Sequence, residues 1–163
     1  MSRPFRAFAA FAAAAFVVLA TYGPLSAAIG PTVMMFHGTP LKKPVFVTGA
    51  ETSAFGDLLR KHSVPPADLA SRPFYAVALF WGPPSDPARN GVRTLTDLTP
   101  EMAWQHGRFY PSHGGQPALL LVTSLHKNAA AVPTPTGPAS YALGGPVPPE
   151  ASAVLARLGL AAK

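Results

Sequence analysis

The chain of 163 residues contains no cysteine. This absence excludes a disulfide scaffold, a cysteine-ligated zinc module, a thiol nucleophile, a CxxC redox site and a lipoprotein anchored through a thiol. A cysteine-free chain is also indifferent to an oxidising compartment, so export to such a compartment would not threaten its fold.

Charged residues are scarce, at 12% of the chain, and only seven of them are acidic. Catalysis by a carboxylate pair needs two acids about 5 to 10 Å apart, and no such pair stands out. The 13 basic residues give a net charge of +6, but apart from Lys42-Lys43 and Arg60-Lys61 they are scattered singly. Nucleic-acid-binding proteins concentrate basic residues on one face, so we expect no nucleic-acid partner.

The common catalytic and nucleotide-binding motifs are also missing. The sequence has no G-x-S-x-G elbow, no Walker loop and no G-x-G-x-x-G. Ser124 and Lys127 match S-x-x-K, but the S-D-N and K-T-G companions of that motif are absent. No catalytic residue is therefore assigned, and the sequence favours a protein that is not an enzyme.

The N-terminus has the organisation of an export signal. Two basic residues, Arg3 and Arg6, precede an uncharged apolar run of 14 residues at 7–20. Runs of this length form the core of signal peptides. The small residues Ser26 and Ala28 then suit cleavage after Ala28.

We therefore expect residues 1–28 to be a removed signal peptide and residues 29–163 to be a single exported domain, periplasmic or secreted. An uncleaved membrane anchor is the alternative, because residues 7–36 carry no charge and about 20 apolar residues span a bilayer. Gly23-Pro24 and Gly30-Pro31 interrupt that run, which favours the signal peptide. A membrane would then be a partner only through an N-terminal segment that stays attached.

Short apolar runs bounded by glycine and proline predict buried strands at 32–36, 44–47 and 74–81. The third run is apolar throughout, as in a central strand that is covered on both faces.

A helix is predicted between the second and third of these strands. Thr48 and Glu51 have the spacing of a capping box, and apolar side chains then recur at helical intervals over 49–62. Strand, helix and strand together predict a right-handed βαβ crossover with parallel strands over 44–81.

The C-terminal half predicts a short helix from Thr99, a hairpin over 107–124, an edge strand at Tyr141–Leu143 and a helix at Pro149–Leu158 that stops at Gly159. The total is four to five strands and two to three helices. We therefore expect a small α+β domain built on a mixed sheet.

Three histidines, His37, His106 and His113, each precede a glycine in an expected loop. Neutral imidazole binds zinc and other divalent transition metals, and Glu101 is the one carboxylate nearby in sequence. No H-x-H or H-E-x-x-H spacing occurs, so only the fold could bring these residues together. A metal-binding protein, or a metal-dependent hydrolase using this cluster, is the alternative function; otherwise no cofactor is expected.

A pocket is predicted from the strand ends. If the strands that end at His37, Thr48 and Trp81 run parallel, their termini lie along one edge of the sheet, where open α/β sheets bind ligands. Trp81 would supply an aromatic wall and His37 a polar contact. The alternative is that Trp81 is simply the last core residue of its strand.

The leading hypothesis is a non-catalytic exported module that binds a small ligand or an envelope protein. It rests on the N-terminal signal, on a mature domain large enough to bury a core, and on the lack of an assembled catalytic set.

Overall fold

The computed structural model describes residues 31–39, 41–81, 94–124 and 141–161. The predicted signal peptide at 1–28 lies outside these residues, so its cleavage remains a prediction. No helix in this part of the chain has the length and apolarity needed to cross a bilayer.

Six strands form one sheet with the order β2-β1-β3-β4-β5-β6. The strands are β1 (Val33–His37), β2 (Val45–Thr48), β3 (Tyr75–Phe80), β4 (Gln105–Tyr110), β5 (Leu119–Val122) and β6 (Leu143–Pro146). Every pairing between neighbours is antiparallel. The three apolar runs predicted as strands are β1, β2 and β3, and β3 lies inside the sheet between β1 and β4.

The predicted α+β domain, with a mixed sheet of four to five strands, two to three helices and a βαβ crossover over 44–81, is wrong. The described residues form mostly sheet, with one α-helix, at the C-terminal end. β1 lies between β2 and β3 and pairs with both, so that Val33 faces Thr48 on one side and Phe80 on the other. Because Val33 to Phe36 are all buried, β1 is suited to an interior position with both faces covered. It therefore separates the two strands that the crossover would have paired.

The predicted helix over 49–62 consists of two 3₁₀ segments, Gly49–Phe55 and Leu58–Arg60. The hydroxyl of Thr52 donates to the carbonyl three residues before it at 2.8 Å, and the hydroxyl of Ser53 does the same at 2.5 Å. Such side-chain bonds compete with the α-helical pattern, which explains the tighter winding.

The predicted capping box does not form either. The side chain of Thr48 makes no capping hydrogen bond. Glu51 instead forms an ion pair with Arg157 on the C-terminal helix. The carboxylate therefore links two elements rather than starting one.

The C-terminal half follows the predictions more closely. The hairpin over 107–124 is present as β4 and β5. The edge strand is β6 (Leu143–Pro146), which shares only Leu143 with the predicted strand at Tyr141–Leu143. The short helix predicted from Thr99 is a 3₁₀ turn at Pro100–Met102.

The C-terminal helix spans Pro149–Arg157, in agreement with the apolar stripe that predicted it. The N–H of Leu160 donates to the carbonyl of Leu155 at 2.9 Å, and that of Gly159 to Ala156 at 3.0 Å. This is the Schellman arrangement, and Gly159 adopts the positive φ of 73° that it requires.

Side chains alternate between two faces of the sheet. Face A carries the main core, on which both 3₁₀ segments of 49–60 and the C-terminal helix pack; its buried side chains include Met34, Phe36, Val77, Leu79, Phe109, Leu120 and Val122. Face B carries two smaller clusters, one with Met35, Phe80, Leu98 and Ala103, the other with Leu69, Tyr110, Leu119, Leu121 and Tyr141. Face B also bears the polar side chains described below.

Candidate functional site

The three residues of the predicted strand-end pocket do not share one edge of the sheet. Thr48 and Phe80 both pair with Val33, so Thr48 and the adjacent Trp81 lie at one end of the strands. His37 lies at the opposite end of β1, about 13 Å away at the rise of a strand. The antiparallel arrangement is the reason, since neighbouring strands end at opposite edges.

Trp81 has a structural partner within the sheet. Its indole N–H donates to Oε1 of Gln105 at 2.8 Å, and Nε2 of Gln105 donates to the carbonyl of Thr123 at 2.7 Å. This agrees with the alternative that Trp81 closes the core at the end of its strand.

His37 and His106 are brought to the same face of the sheet. His37 is opposite Ala76, and His106 is opposite Ala78, so the two histidines lie diagonally across β3 on face B. Two interstrand spacings and two residues of rise separate their Cα atoms by roughly 12 Å.

Burial lowers the pKa of both imidazoles below the ordinary value. The charge of His106 lowers the pKa of His37 further, while Glu101 opposes the shift at both histidines. The pKa of Glu101 is also lowered, first by a hydrogen bond from the side chain of Thr99 and to a smaller extent by the two histidines. Each of these shifts includes a contribution from another member of the group, and the lowered pKa values favour the neutral form of both histidines.

His113 is not part of this group. It lies in the turn between β4 and β5, where it forms an isolated bridge with Gln116. Along β4, Tyr110 already lies about 13 Å from His106, and His113 follows Tyr110 in the chain. No group of three His, Cys, Asp or Glu side chains in the described ranges is arranged to hold a metal ion. The metal site predicted from the sequence stays a prediction.

A cationic and aromatic stack occupies face B beside the histidines. The guanidinium carbon of Arg108 lies 4.3 Å from the ring centroid of Phe74 and 5.6 Å from that of Tyr141. Phe74 is 37% exposed, whereas Tyr141 is buried, and burial raises the pKa of its hydroxyl. Cation–π contacts of this kind hold the arginine flat against the sheet.

Next to this stack, at the edge of the sheet, lies a groove of about 370 Å³, which we call the β5–β6 groove. It is lined by Ser63, Val64, Pro66, Asp68, Arg72, Gln116, Pro117, Leu119, Leu121, Gly145 and Pro146. The face-B side chains of β5 form its floor, and the segment before β3 forms one wall. Most of the lining is apolar, and the charged groups are confined to Asp68 and Arg72.

Arg72 is the buried polar group of this groove, with only 7% of its surface exposed. Its Nη1 donates to Oε1 of Gln116 at 2.9 Å. Its Nη2 donates to the carbonyls of Pro111 at 2.9 Å and Pro117 at 3.1 Å. The arginine thus fastens the β4–β5 turn to the segment before β3.

All three acceptors of Arg72 are neutral. Asp68, the one carboxylate in the lining of the groove, accepts a hydrogen bond from Nε2 of Gln116 at 2.8 Å and forms no ion pair with the guanidinium. The Nε of Arg72 is buried and has no hydrogen-bond partner. The groove therefore borders a buried positive charge that no contacting carboxylate neutralises.

The sequence alone does not single out Arg72 or Gln116. Arg72 is one of the singly scattered basic residues, and Gln116 lies within the hairpin predicted over 107–124. The one local signal is an isolated arginine between the apolar residues Leu69 and Phe74.

Comparisons with family models, curated proteins and solved structures found no match to this chain. Its function is therefore argued from its own residues.

Proposed function

We propose that this chain is an exported, non-catalytic protein that binds a small and largely apolar ligand in the β5–β6 groove. The main support for this proposal is the groove itself. Its volume of about 370 Å³ is in the range of small-molecule sites, and such sites combine apolar walls with a few polar groups that fix orientation.

Binding is favoured over catalysis by the chemistry of the lining. Ser63 supplies the one hydroxyl among the lining residues, and no histidine or lysine stands among them to accept its proton. An activated serine requires such a base within hydrogen-bond reach. The histidines of face B lie on β1 and β4, outside the lining of the groove.

A small ligand is favoured over an envelope protein because the site is concave. Protein partners bury about 800 Å² on each side and require a broad surface, whereas a groove of this size accommodates a short chain or ring. The export part of the proposal rests on the basic, apolar and small-residue organisation of the first 28 residues.

We expect Val64→Trp to weaken binding of the neutral fluorophore N-phenyl-1-naphthylamine. Val64 lines the groove yet is 90% exposed, so the larger side chain can occupy the groove without disturbing the core. Displacing two buried methylene contacts costs roughly tenfold in affinity. Fluorescence titration of both proteins measures the difference.

Leu95→Trp is the matched control, because Leu95 is an exposed apolar residue, 41% accessible, outside the lining of the groove. Its affinity for the fluorophore should equal that of the original protein. Equal binding by all three proteins, or equal loss in both variants, would show that the fluorophore binds elsewhere and would contradict the proposal.

A further inference from the structure

We infer that the β5–β6 groove takes a free alkyl carboxylate, with the carboxylate beside the guanidinium of Arg72 and the alkyl chain along the apolar walls. The inference rests on the proposed function and adds the chemical class of the ligand. It also rests on an observation that the proposed function does not use, which is the buried guanidinium of Arg72 with only neutral acceptors.

The buried charge of Arg72 favours an anionic head group. Buried charged groups in proteins are normally paired, because an isolated charge loses its hydration without compensation. The ion pairs found among the described residues are Arg60 with Asp57 and Arg157 with Glu51, all of them exposed or half-exposed. Arg72 is far more buried than either arginine and has only neutral acceptors. A ligand anion in the groove would supply the missing negative charge.

The hydrogen-bond donors of Arg72 that have no acceptor also favour an anion. A guanidinium offers five N–H donors, and Arg72 makes three hydrogen bonds. The unpartnered Nε lies among the remaining donors. Both hydrogens of Nη2 are already used, so a carboxylate would meet one free N–H at a time, through a single charge-assisted hydrogen bond that is stronger than one to a neutral acceptor.

The apolar lining argues for an alkyl chain rather than the C-terminus of a peptide. Val64, Leu119 and Leu121 contribute no hydrogen-bonding side chains to the walls. A peptide would bring backbone amides against these walls, and each amide left without a partner would oppose binding. An alkyl acid has its only polar atoms at the end that meets Arg72.

Asp68 lies on the same groove and opposes an anionic ligand. Its carboxylate is exposed and is held by Gln116, so water screens much of its charge. Removing that charge should therefore strengthen binding of a carboxylate and leave binding of a neutral chain unchanged.

The test compares octanoate, 1-octanol and octylamine by calorimetric titration of the purified protein at pH 8. The three share one chain and differ in the charge of the head group. We expect octanoate to bind at least about tenfold more tightly than octanol, because hydrogen bonds to a charged acceptor are the stronger ones. Octylamine should bind more weakly than octanol, because its ammonium would face the arginine.

Asp68→Asn should raise the affinity for octanoate by roughly two- to threefold, the size expected of an exposed charge, with no change for octanol. Asp57→Asn is the control, since Asp57 is an exposed aspartate outside the groove, and it should alter neither affinity. Neither substitution touches the buried arginine, so folding of both variants is expected.

The outcomes separate the two claims. Equal affinities for octanoate and octanol would overturn the carboxylate inference and leave the groove as a neutral apolar site. Octanoate binding that Asp68→Asn fails to strengthen would place the carboxylate away from Arg72 and overturn the inference as well. Failure of both octanol and the neutral fluorophore to bind would contradict the proposed function itself.

Discussion

Arg72 has a structural role in the fold, and its hydrogen bonds fix its position at the groove. The guanidinium bonds the carbonyls of Pro111 and Pro117, on either side of the β4–β5 turn. It also lies over the ring of Tyr110, with 5.8 Å between the guanidinium carbon and the ring centroid. A ligand group that met this arginine would find its donors already oriented, and little rotamer entropy would be lost on binding.

The histidines of face B make stability depend on pH. Burial lowers the pKa of His37 and of His106 in the folded protein, whereas the unfolded chain titrates near the ordinary value of about 6.5. Below that pH the unfolded state binds more protons, so the free energy of unfolding decreases as pH falls. The stability is fully present above about pH 7 and is lost as pH falls through the lowered pKa values.

We therefore expect urea unfolding at pH 7.5, 6.5 and 5.5 to show decreasing stability in the original protein and a flatter dependence in the His37→Gln, His106→Gln double variant. This range excludes the titration of Glu101, whose pKa is lowered below its already acidic value. His113→Gln, in the hairpin turn, controls for the loss of a histidine as such. An identical slope in the original protein and the double variant would remove these two residues as the cause.

At the residue scale, the sequence could name candidates but not their neighbours. His37 and His106 are far apart in the chain, and only the antiparallel order of β1, β3 and β4 places them on one face. Likewise Arg72 meets Gln116 because the β4–β5 turn folds back onto the segment before β3. No local pattern of charge or spacing contains such long-range pairings.

At the scale of elements, the strands were predictable and their neighbours in the sheet were not. The apolar runs of β1 and β3 mark strands that are covered on both faces, but the same runs suit parallel and antiparallel neighbours equally. The crossover prediction assumed that β2 and β3, as successive strands around a helix, would pair. The buried strand β1 occupies the place between them instead.

The prediction of an α-helix over 49–62 was wrong for a related reason. Apolar side chains at intervals of three residues serve a 3₁₀ segment as well as an α-helix, since both place i and i+3 close together. The hydroxyls of Thr52 and Ser53 donate to backbone carbonyls, and these hydrogen bonds favour the 3₁₀ form. The C-terminal helix lacks hydroxyl bonds of this kind, its stripe of Ala151, Val154 and Leu155 is buried, and its bounds were predicted within one residue.

The pairing of β5 with β6 depends on Gly144, and this gives a test of the edge that flanks the groove. A Cβ at this position would overlap the carbonyl oxygen of Leu120, and the φ of +118° is one that L side chains rarely adopt. We expect Gly144→Ala to lower the free energy of unfolding by about 2 to 4 kcal/mol, from strain and overpacking together. Urea unfolding measures the loss.

Gly114→Ala is the matched control for that substitution. Gly114 also has a positive φ, of 56°, but a Cβ there would meet nothing within 4 Å. Its cost should be limited to about 1 to 2 kcal/mol of backbone strain. Similar losses in both variants would mean that the overlap with Leu120 adds no cost to the backbone strain.

At the scale of the whole molecule, the two faces of the sheet carry different kinds of side chain. Face A carries the large core, closed by the 3₁₀ segments and the C-terminal helix. Face B has smaller apolar clusters and holds the neutral histidines, the Arg108 stack and the groove. A sheet that is stabilised mainly from one side leaves the other free to carry polar groups, as antiparallel sheets commonly do.

The export prediction is also a property of the whole molecule. Expressed in a Gram-negative bacterium, the protein should be recovered from the periplasm with the intact mass of residues 29–163, because Ser26 and Ala28 suit signal peptidase. Ala28→Asp should block cleavage and leave the full-length mass in the membrane fraction. Full-length mass for the original protein as well, again in the membrane fraction, would favour the uncleaved anchor.

The position of the methionines has a consequence for chemical durability. Met34 and Met35 point to opposite faces of β1, and they are 0% and 1% exposed, whereas Met102 is only partly buried at the rim of face B. Oxidation to the sulfoxide turns an apolar side chain into a polar one and follows access to the sulfur. Peroxide would therefore reach Met102 first among the methionines of the described ranges, at a surface turn. The two sulfurs inside the sheet would be spared, in a chain that has no thiol to oxidise.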